Sequence, residues 1–497
     1  MATARGMRVS LSQRERAGVR EKSHPARPAC PLANCRSIIL SVGLGLVVSL
    51  SSAFTSFADT NAPGLVARKA ATPILENTLT KTNDGWMIDL PVALRLAGAQ
   101  NLDVQIARER LREAEAQRDA AIYNFFPWVT PGLGYRRHDG RIQDIVGTVF
   151  DASKQQLTPG ATIEARLDLG DTWFKALAAK QLAKAADHAV AAQQQDTVSA
   201  AALGYFDLVK ARAMGDVAVE ATRVAGAYAE QLQQGVELGL IFKGDALRAR
   251  GQAERNKLAL QQAREQQRIA AARLAQLLRL DPTVNLIPAD SELLPLALIA
   301  TNAALDTLVA QALGARPELK QGAALTAAAA RQHDATTVGP LFPTLGAQAF
   351  AGALGGGRNN DLETFGGSAN MALTLGWRFG PGGIFDSARE RSADSRLRAT
   401  ALANDKLKDD IIRQVVEAHT RVHSLRAQLA TLKRALGTAE EGFRLTRERK
   451  ERGIGVVMEN IFAEQDLTRA RSDYVAAVAE FNKAQQTLLR AIGGGQN

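Results

Sequence analysis

The chain repeats itself at a spacing of 215 residues, so whatever it folds into is built twice. Leu90-Pro91-Val92-Ala93-Leu94-Arg95-Leu96-Ala97, continuing to Asn101-Leu102-Asp103, has its counterpart in Leu305-Asp306-Thr307-Leu308-Val309-Ala310-Gln311-Ala312, continuing to Arg316-Pro317-Glu318. Each copy then runs through an alanine-rich stretch into an aromatic-proline step, Phe125-Phe126-Pro127 and Leu341-Phe342-Pro343. Further on, Gly239 and Gly453 stand 214 residues apart, and each is followed six residues later by an acid, Asp245 and Glu459. Four landmarks in one order at nearly constant offset mark an internal duplication.

Within each copy the hydrophobic period changes twice. Residues 90–123 carry apolar groups at helical spacing, with Asp89 as N-cap and Pro91 in the first turn. After Pro127, which opens a strand, the period falls to two: Val129, Pro131, Leu133 and Tyr135 alternate with Thr130, Gly132, Gly134 and Arg136. The return is Ala161, Ile163, Ala165 and Leu167 against Thr162, Glu164, Arg166 and Asp168. Pro343 opens the second pair, where Ala347, Ala349 and Ala351, then Ala369, Met371, Leu373 and Leu375, hold one face. One apolar and one polar face suits a soluble sandwich as well as a membrane barrel. Two features favour the barrel. The strands read as about 10 residues long, enough to cross a bilayer when tilted, and aromatic or proline residues stand near their ends. Four strands cannot satisfy their own edges, so the chain is expected to oligomerise.

The helices set the scale. No proline interrupts residues 171–238 or 386–452, and each stretch can form one helix about 100 Å long at 1.5 Å per residue. Helices near 90–123 and 246–279 are about half that length. Two of them stacked end to end match one long helix, which points to a laterally closed cylinder rather than a globule. The expected plan is a signal peptide over 1–58, a linker over 59–84, a first repeat over 85–290, a linker over 291–304, and a second repeat over 305–493.

The N-terminus gives the address. Arg27 and Arg36 precede the uncharged run Ile38 to Leu50, and Ser56-Phe57-Ala58 is a small-x-small cleavage site. An apolar run of this length is short for a span of about 20 residues. The formal charge of +10 is concentrated here, where residues 1–58 hold eight Lys/Arg and two Asp/Glu. The remaining charges are spread along helices at mixed sign, with no basic cluster interleaved with aromatics, so no nucleic-acid partner is expected. Cys30 and Cys35 both precede the apolar run, which leaves the mature chain without thiols for disulfides or metal ligation.

Taken together these residues resemble the TolC family of outer-membrane efflux proteins, over about residues 85–493. The resemblance rests on Leu-x-x-Ala-x-x-x-Asn-Leu at 94–102, Arg-Pro-Glu-Leu at 316–319, the strand-opening Pro127 and Pro343, and the glycine-turn-acid segments at 239–245 and 453–459. It implies a mixed α+β membrane protein: a long α-helical coiled-coil barrel plus four β-strands per protomer. In a homotrimer these strands make a twelve-stranded β-barrel set in outer-membrane lipid. It further implies a passive export duct, for efflux or type I secretion, that docks to a periplasmic adaptor and an inner-membrane transporter. The hairpin loops, about 137–156 and 354–364, would face outside the cell. The helix turns carrying Gly239, Asp245 and Gly453 would face the adaptor at the periplasmic end.

The turns depart from the family pattern in being hydrophobic, Leu240-Ile241-Phe242 and Val456-Val457-Met458. The family's tunnel can close on a ring of acids. Glu459 matches one such position, but Phe462 stands where a second acid would, so a double ring is not expected. Glu459 therefore has two readings, a periplasmic gate lining the pore or a solvated partner of a helix dipole. His419 and His423, four apart, could form a two-point metal clip or simply pack. No phosphate loop, nucleophile elbow, His-Glu-x-x-His helix or paired-cysteine site is present, so neither catalysis nor a cofactor is expected. Two other architectures remain open. A periplasmic coiled-coil adaptor or scaffold would explain the helices but not the duplicated strands. A general porin would explain the strands but not the helices.

Overall fold

The computed structural model describes residues 80–82, 85–290, 292–299, 303–358, 364–452 and 456–494. The expected signal peptide, nearly all of the first linker, Gly453 and the end of the second hairpin lie outside the described residues.

A short strand pair, β1 (Thr80–Thr82) and β2 (Gly85–Ile88), precedes helices α1 (Leu90–Gln100) and α2 (Leu102–Tyr123). Asp89 caps α1 by accepting a 2.8 Å hydrogen bond from the Val92 amide. The helix expected to run unbroken over 90–123 is instead divided at Asn101, which is extended at φ −60° and ψ 136°. Asn101 is buried; its Oδ1 accepts from the Asp103 amide at 2.7 Å, and its Nδ2 donates to the Leu277 carbonyl at 3.0 Å. Its amide thus caps one helix and ties down the end of another. The second copy breaks at the matching place, between α5 (Leu305–Ala315) and α6 (Pro317–Thr337). There Arg316 is held extended by the proline that follows it.

The hairpin β3 (Trp128–Gln143) and β4 (Val149–Asp168) leads into α3 (Leu169–Glu237), which turns back as α4 (Lys243–Leu277). In the second copy β6 (Thr344–Arg358) and β7 (Thr364–Gly376) lead into α7 (Ser387–Glu451) and α8 (Val457–Ala491). The two long helices have 69 and 65 residues, close to the lengths that the missing prolines allow. Helix α3 is the hub against which α2, α4, α6 and α8 all pack. Its buried positions are largely alanine, among them Ala178, Ala183, Ala185, Ala201 and Ala202, which let neighbouring backbones approach closely. Where larger groups are buried, two large cores form among the described residues, with a smaller one at the helix turns. Of the large cores, one gathers Tyr205, Leu208, Leu274 and Leu278; the other gathers Ile411, Val415, Val478, Phe481 and Leu488.

A small sheet closes the first core. Strand β2 pairs in parallel with β5 (Leu286–Pro288), placing Trp86 opposite Leu286 and Ile88 opposite Pro288. Beside it the Tyr205 hydroxyl donates to Asp290 at 2.6 Å. Burial and then the neighbouring carboxylate push the Tyr205 phenol well above its ordinary range. The segment between the repeats is strapped onto α8 by two side-chain amides. Asn482 and Gln485 accept from the amides of Leu296 and Leu298, each at 2.8 Å, and donate back to the carbonyls of Leu294 and Leu296. These nearly fully buried amides supply the pairing that a neighbouring strand would otherwise provide.

The four long strands form one antiparallel sheet in the order β3-β4-β6-β7. At 16, 20, 15 and 13 residues they are longer than the 10 expected. Most of what reads as the first loop, 137–156, is paired strand, with Arg137 opposite Gln155 and Gln143 opposite Val149, and only 144–148 turn. Pairing likewise runs on to Arg358, opposite Lys154, leaving 359–363 between the second pair of strands. Strand β3 starts directly after Pro127, and β6 directly after Pro343. Pro131 of β3 stands opposite Ala161 of β4. Among the described residues no helix is long and apolar enough to cross a membrane.

Candidate functional site

The two helical hairpins end side by side, and their tips hold the residues that sequence reasoning singled out. Helix α3 closes on Gly239, whose left-handed φ of +71° lets the Leu240 amide reach the Gly235 carbonyl at 2.8 Å. Past it, Ile241 turns inward onto Gly235, whereas Leu238, Leu240 and Phe242 are each about three-quarters exposed. Asp245 lies in the first turn of α4, 3.3 Å from Arg248. In the second hairpin Glu459 lies in the first turn of α8, and Arg449 and Lys450 in the last turn of α7. Each charge suits its helix end, and Arg449 Nη1 donates to Glu459 Oε1 at 2.7 Å across the turn. Glu459 is therefore an ion-paired acid. Phe462 beyond it is exposed.

The tips are joined to each other. Tyr228, Leu232, Ala246 and Ala249 of the first hairpin pack with Ile461 of the second, flanked by Val457 and Met458. The hydrophobic residues of the second turn thus divide: Val456 is exposed, while Val457 and Met458 serve this seam. The Tyr228 hydroxyl donates to the Val457 carbonyl at 3.3 Å. The Lys450 ammonium sits 3.9 Å from the centre of the Tyr228 ring and donates to Gln231 at 2.7 Å. Burial lowers the Lys450 ammonium from its usual value.

Above the seam lies a buried polar layer that the sequence did not announce. Asn256 of α4 donates to Glu464 of α8 and to the Ala221 carbonyl of α3, both at 3.0 Å. Gln252 donates to Asn256 at 3.0 Å, and Gln465 donates to Gln252 at 2.6 Å. Burial pushes the Glu464 carboxyl up, and the Asn256 amide only partly offsets this. Glu464 stands five residues past Glu459, and no motif distinguishes it from the solvated acids around it.

His419 and His423 lie one turn apart on α7, with ring centres 4.4 Å apart and ring planes tilted by 52°. Burial, and then His423, lowers the His419 imidazole. No group of three possible metal ligands occurs among the described residues.

The chain matches the family described as outer membrane efflux protein twice, over residues 93–278 and 308–494, one match for each copy of the duplication. The chain belongs to the outer membrane efflux protein family. It is 29% identical to Protein CyaE of Bordetella pertussis over 320 residues, which is 63% of this chain and 65% of that relative's length. Its fold is similar to that of the CmeC outer membrane channel of Campylobacter jejuni, with a TM-score of 0.72 and 16% identity over 82% of this chain and 86% of that one. It is likewise similar to the outer membrane protein VceC of Vibrio cholerae, with a TM-score of 0.68 and 18% identity over 82% of this chain and 97% of that one. Membership explains the juxtaposition of a four-stranded sheet with helices of tunnel length.

Proposed function

We propose that the chain is the outer-membrane duct of an efflux pump or type I secretion system, formed when three copies close their sheets into one twelve-stranded barrel. The observation that carries this reading is the sheet itself. Its edges, β3 and β7, have no strand beyond them among the described residues, and its odd-numbered face is apolar, with Val129, Leu133, Ile163, Met371, Leu373 and Leu375 exposed. From Leu157 to Leu167 on β4 that face spans about 33 Å along the strand at 3.3 Å per residue. Tilted as barrel strands are, it forms a band about 25 Å tall, matching a bilayer's apolar thickness. Tyr135 and Phe365 stand at one rim of the band. The turn at 144–148 would then face outside the cell, and the tunnel of helices would bring Gly239, Asp245, Gly453 and Glu459 to the periplasmic end. There the exposed Leu238, Leu240 and Phe242 offer an adaptor an apolar contact. An inner-membrane transporter supplies the energy, and the duct itself performs no chemistry.

The expected result is an outer-membrane protein that purifies in detergent as a trimer. Fractionation and light scattering check this, and a water-soluble monomer obtained without detergent would favour the periplasmic scaffold instead.

At the tip, Glu459 gates through its pair with Arg449. Three copies bring three such pairs near the axis, close to electrically neutral as they stand. Glu459→Ala would leave three unpaired guanidiniums, and Arg449→Ala three free carboxylates. The two variants are expected to move cation passage and block by multivalent cations in opposite directions, Arg449→Ala upward. Planar-bilayer recordings with the blocker on the helix-tip side read this directly. Identical block in both variants and the wild type would return Glu459 to a solvated helix-end acid.

A further inference from the structure

The two faces of the large sheet dispose of their charges differently. Every cross-strand pair joins residues of equal parity, from Trp128 opposite Glu164 to Thr344 opposite Gly376. Even-numbered residues therefore share the polar face, and odd-numbered residues the apolar one. Beyond the apolar band the odd-face charges are matched: Arg137 pairs with Asp139 at 2.7 Å, and Arg141 lies 3.9 Å from Asp151. Asp144 is spent on the turn, accepting from the amides of Val146 and Thr148 at 3.1 and 2.8 Å.

On the even face at the same end stand Arg136, opposite Gln156, and His138, opposite Lys154. Neither Arg136 nor Lys154 has an acidic partner among the described residues. His138 Nε2 is enclosed without a hydrogen-bond partner. Among the described residues the acids of this face, Glu164 and Asp168, lie ten and fourteen residues down β4 from Lys154, with Arg166 between them. Ten residues of strand are about 33 Å, several times the screening length of about 8 Å in physiological salt. Among the described residues the even face is therefore positive at its far end.

We infer that the turn end of the polar face forms an anion-binding collar at the outer mouth of the duct, selecting carboxylate- and phosphate-bearing cargo. The inference rests on the duct reading, in which three copies place three Arg136 and three Lys154 around one lumen. Rings of Arg and Lys are how pores favour anions, and low-dielectric walls focus their field. Guanidinium and ammonium groups also hydrogen-bond carboxylate and phosphate oxygens, which lets the collar bind an anion as well as attract it.

The test uses the full-length protein in planar bilayers under a KCl gradient, with inorganic tripolyphosphate added on the side of the hairpin turns. The wild type is expected to pass chloride in preference to potassium and to be blocked by tripolyphosphate, the block weakening as salt rises. Arg136→Gln with Lys154→Gln is expected to lose most of that preference and to weaken the block by about tenfold or more, as befits lost charge-assisted contacts. Arg137→Gln on the opposite face is expected to leave both unchanged, and trimer assembly is checked for each variant. A conducting wild type that is unselective or prefers cations overturns the inference while leaving the duct intact. So does an unchanged block in the double variant. Absence of any conductance from the wild type fails the duct reading itself, and the collar with it.

Discussion

Glu318→Ala is expected to destabilise the protein by about 3 to 5 kcal/mol, because it leaves the buried Arg316 guanidinium without its acid and Arg490 with Asp196 alone. Glu318 Oε1 accepts from Arg316 Nη2 at 2.7 Å and also from Arg490. Arg316 reaches on to Gln414 of α7 at 2.7 Å, and Arg490 to Asp196 of α3 at 2.8 Å. One acid at the start of α6 thus holds α3, α7 and α8 together. Burial works to raise its carboxyl, and the hydrogen bonds from Arg316 and then Arg490 bring it down to about 2, from an ordinary 4.5. A carboxyl depressed by folding stabilises above its unfolded pKa, and that contribution fades as pH falls from 4.5 towards 2. Over that interval the wild type is expected to lose roughly 2 to 3 kcal/mol from this group. Glu318→Gln, which never carries the charge, starts lower and converges on the wild type in acid. Thermal unfolding of the detergent-solubilised protein between neutral pH and pH 3 measures both effects. A stability gap between wild type and Glu318→Gln that stays constant across this range would contradict the assignment.

The second large effect is expected at Gly170, in the first turn of α3. A Cβ there would lie 2.2 Å from the Gly339 carbonyl oxygen and 2.6 Å from its Cα, both rigid backbone. The contact joins the place where α3 leaves β4 to the turn Gly339–Leu341, just before the chain enters β6. In an ordinary helix Gly→Ala gains up to about 1 kcal/mol. Here the sign reverses, with Gly170→Ala costing about 1 to 3 kcal/mol by overpacking, and Gly170→Val more. The midpoint of thermal unfolding reports the sign, and a Gly170→Ala variant as stable as the wild type would show that the junction yields.

Much of this architecture is legible without coordinates because it follows from single-residue chemistry repeated over long stretches. Missing prolines allow α3 and α7, and period-two alternation assigns the two faces of the sheet. What escapes the sequence is local. The break at Asn101 hides inside an uninterrupted helical pattern, since an asparagine that caps reads like one that is tolerated. Strands β1, β2 and β5, at three or four residues, are too short to show a period. The strand ends above the apolar band look like loop because both faces there are polar, although the ladder continues. At the tips, Gly239 and the acids are visible by duplication. The Arg449 partner of Glu459 and the buried Glu464 depend on how two hairpins meet, which no local pattern encodes.

The shared parity of the sheet has a genetic consequence. Because no cross-strand pair joins an even residue to an odd one, losing a single codon within β4 would exchange the faces of everything beyond it. The charges of Arg136 and Lys154 could then share a face only if the partner strand shifted too. Length changes inside these strands are therefore expected to arrive in twos, or together in both strands of a hairpin. The turn at 144–148 is free of that arithmetic and can lengthen by any number of codons.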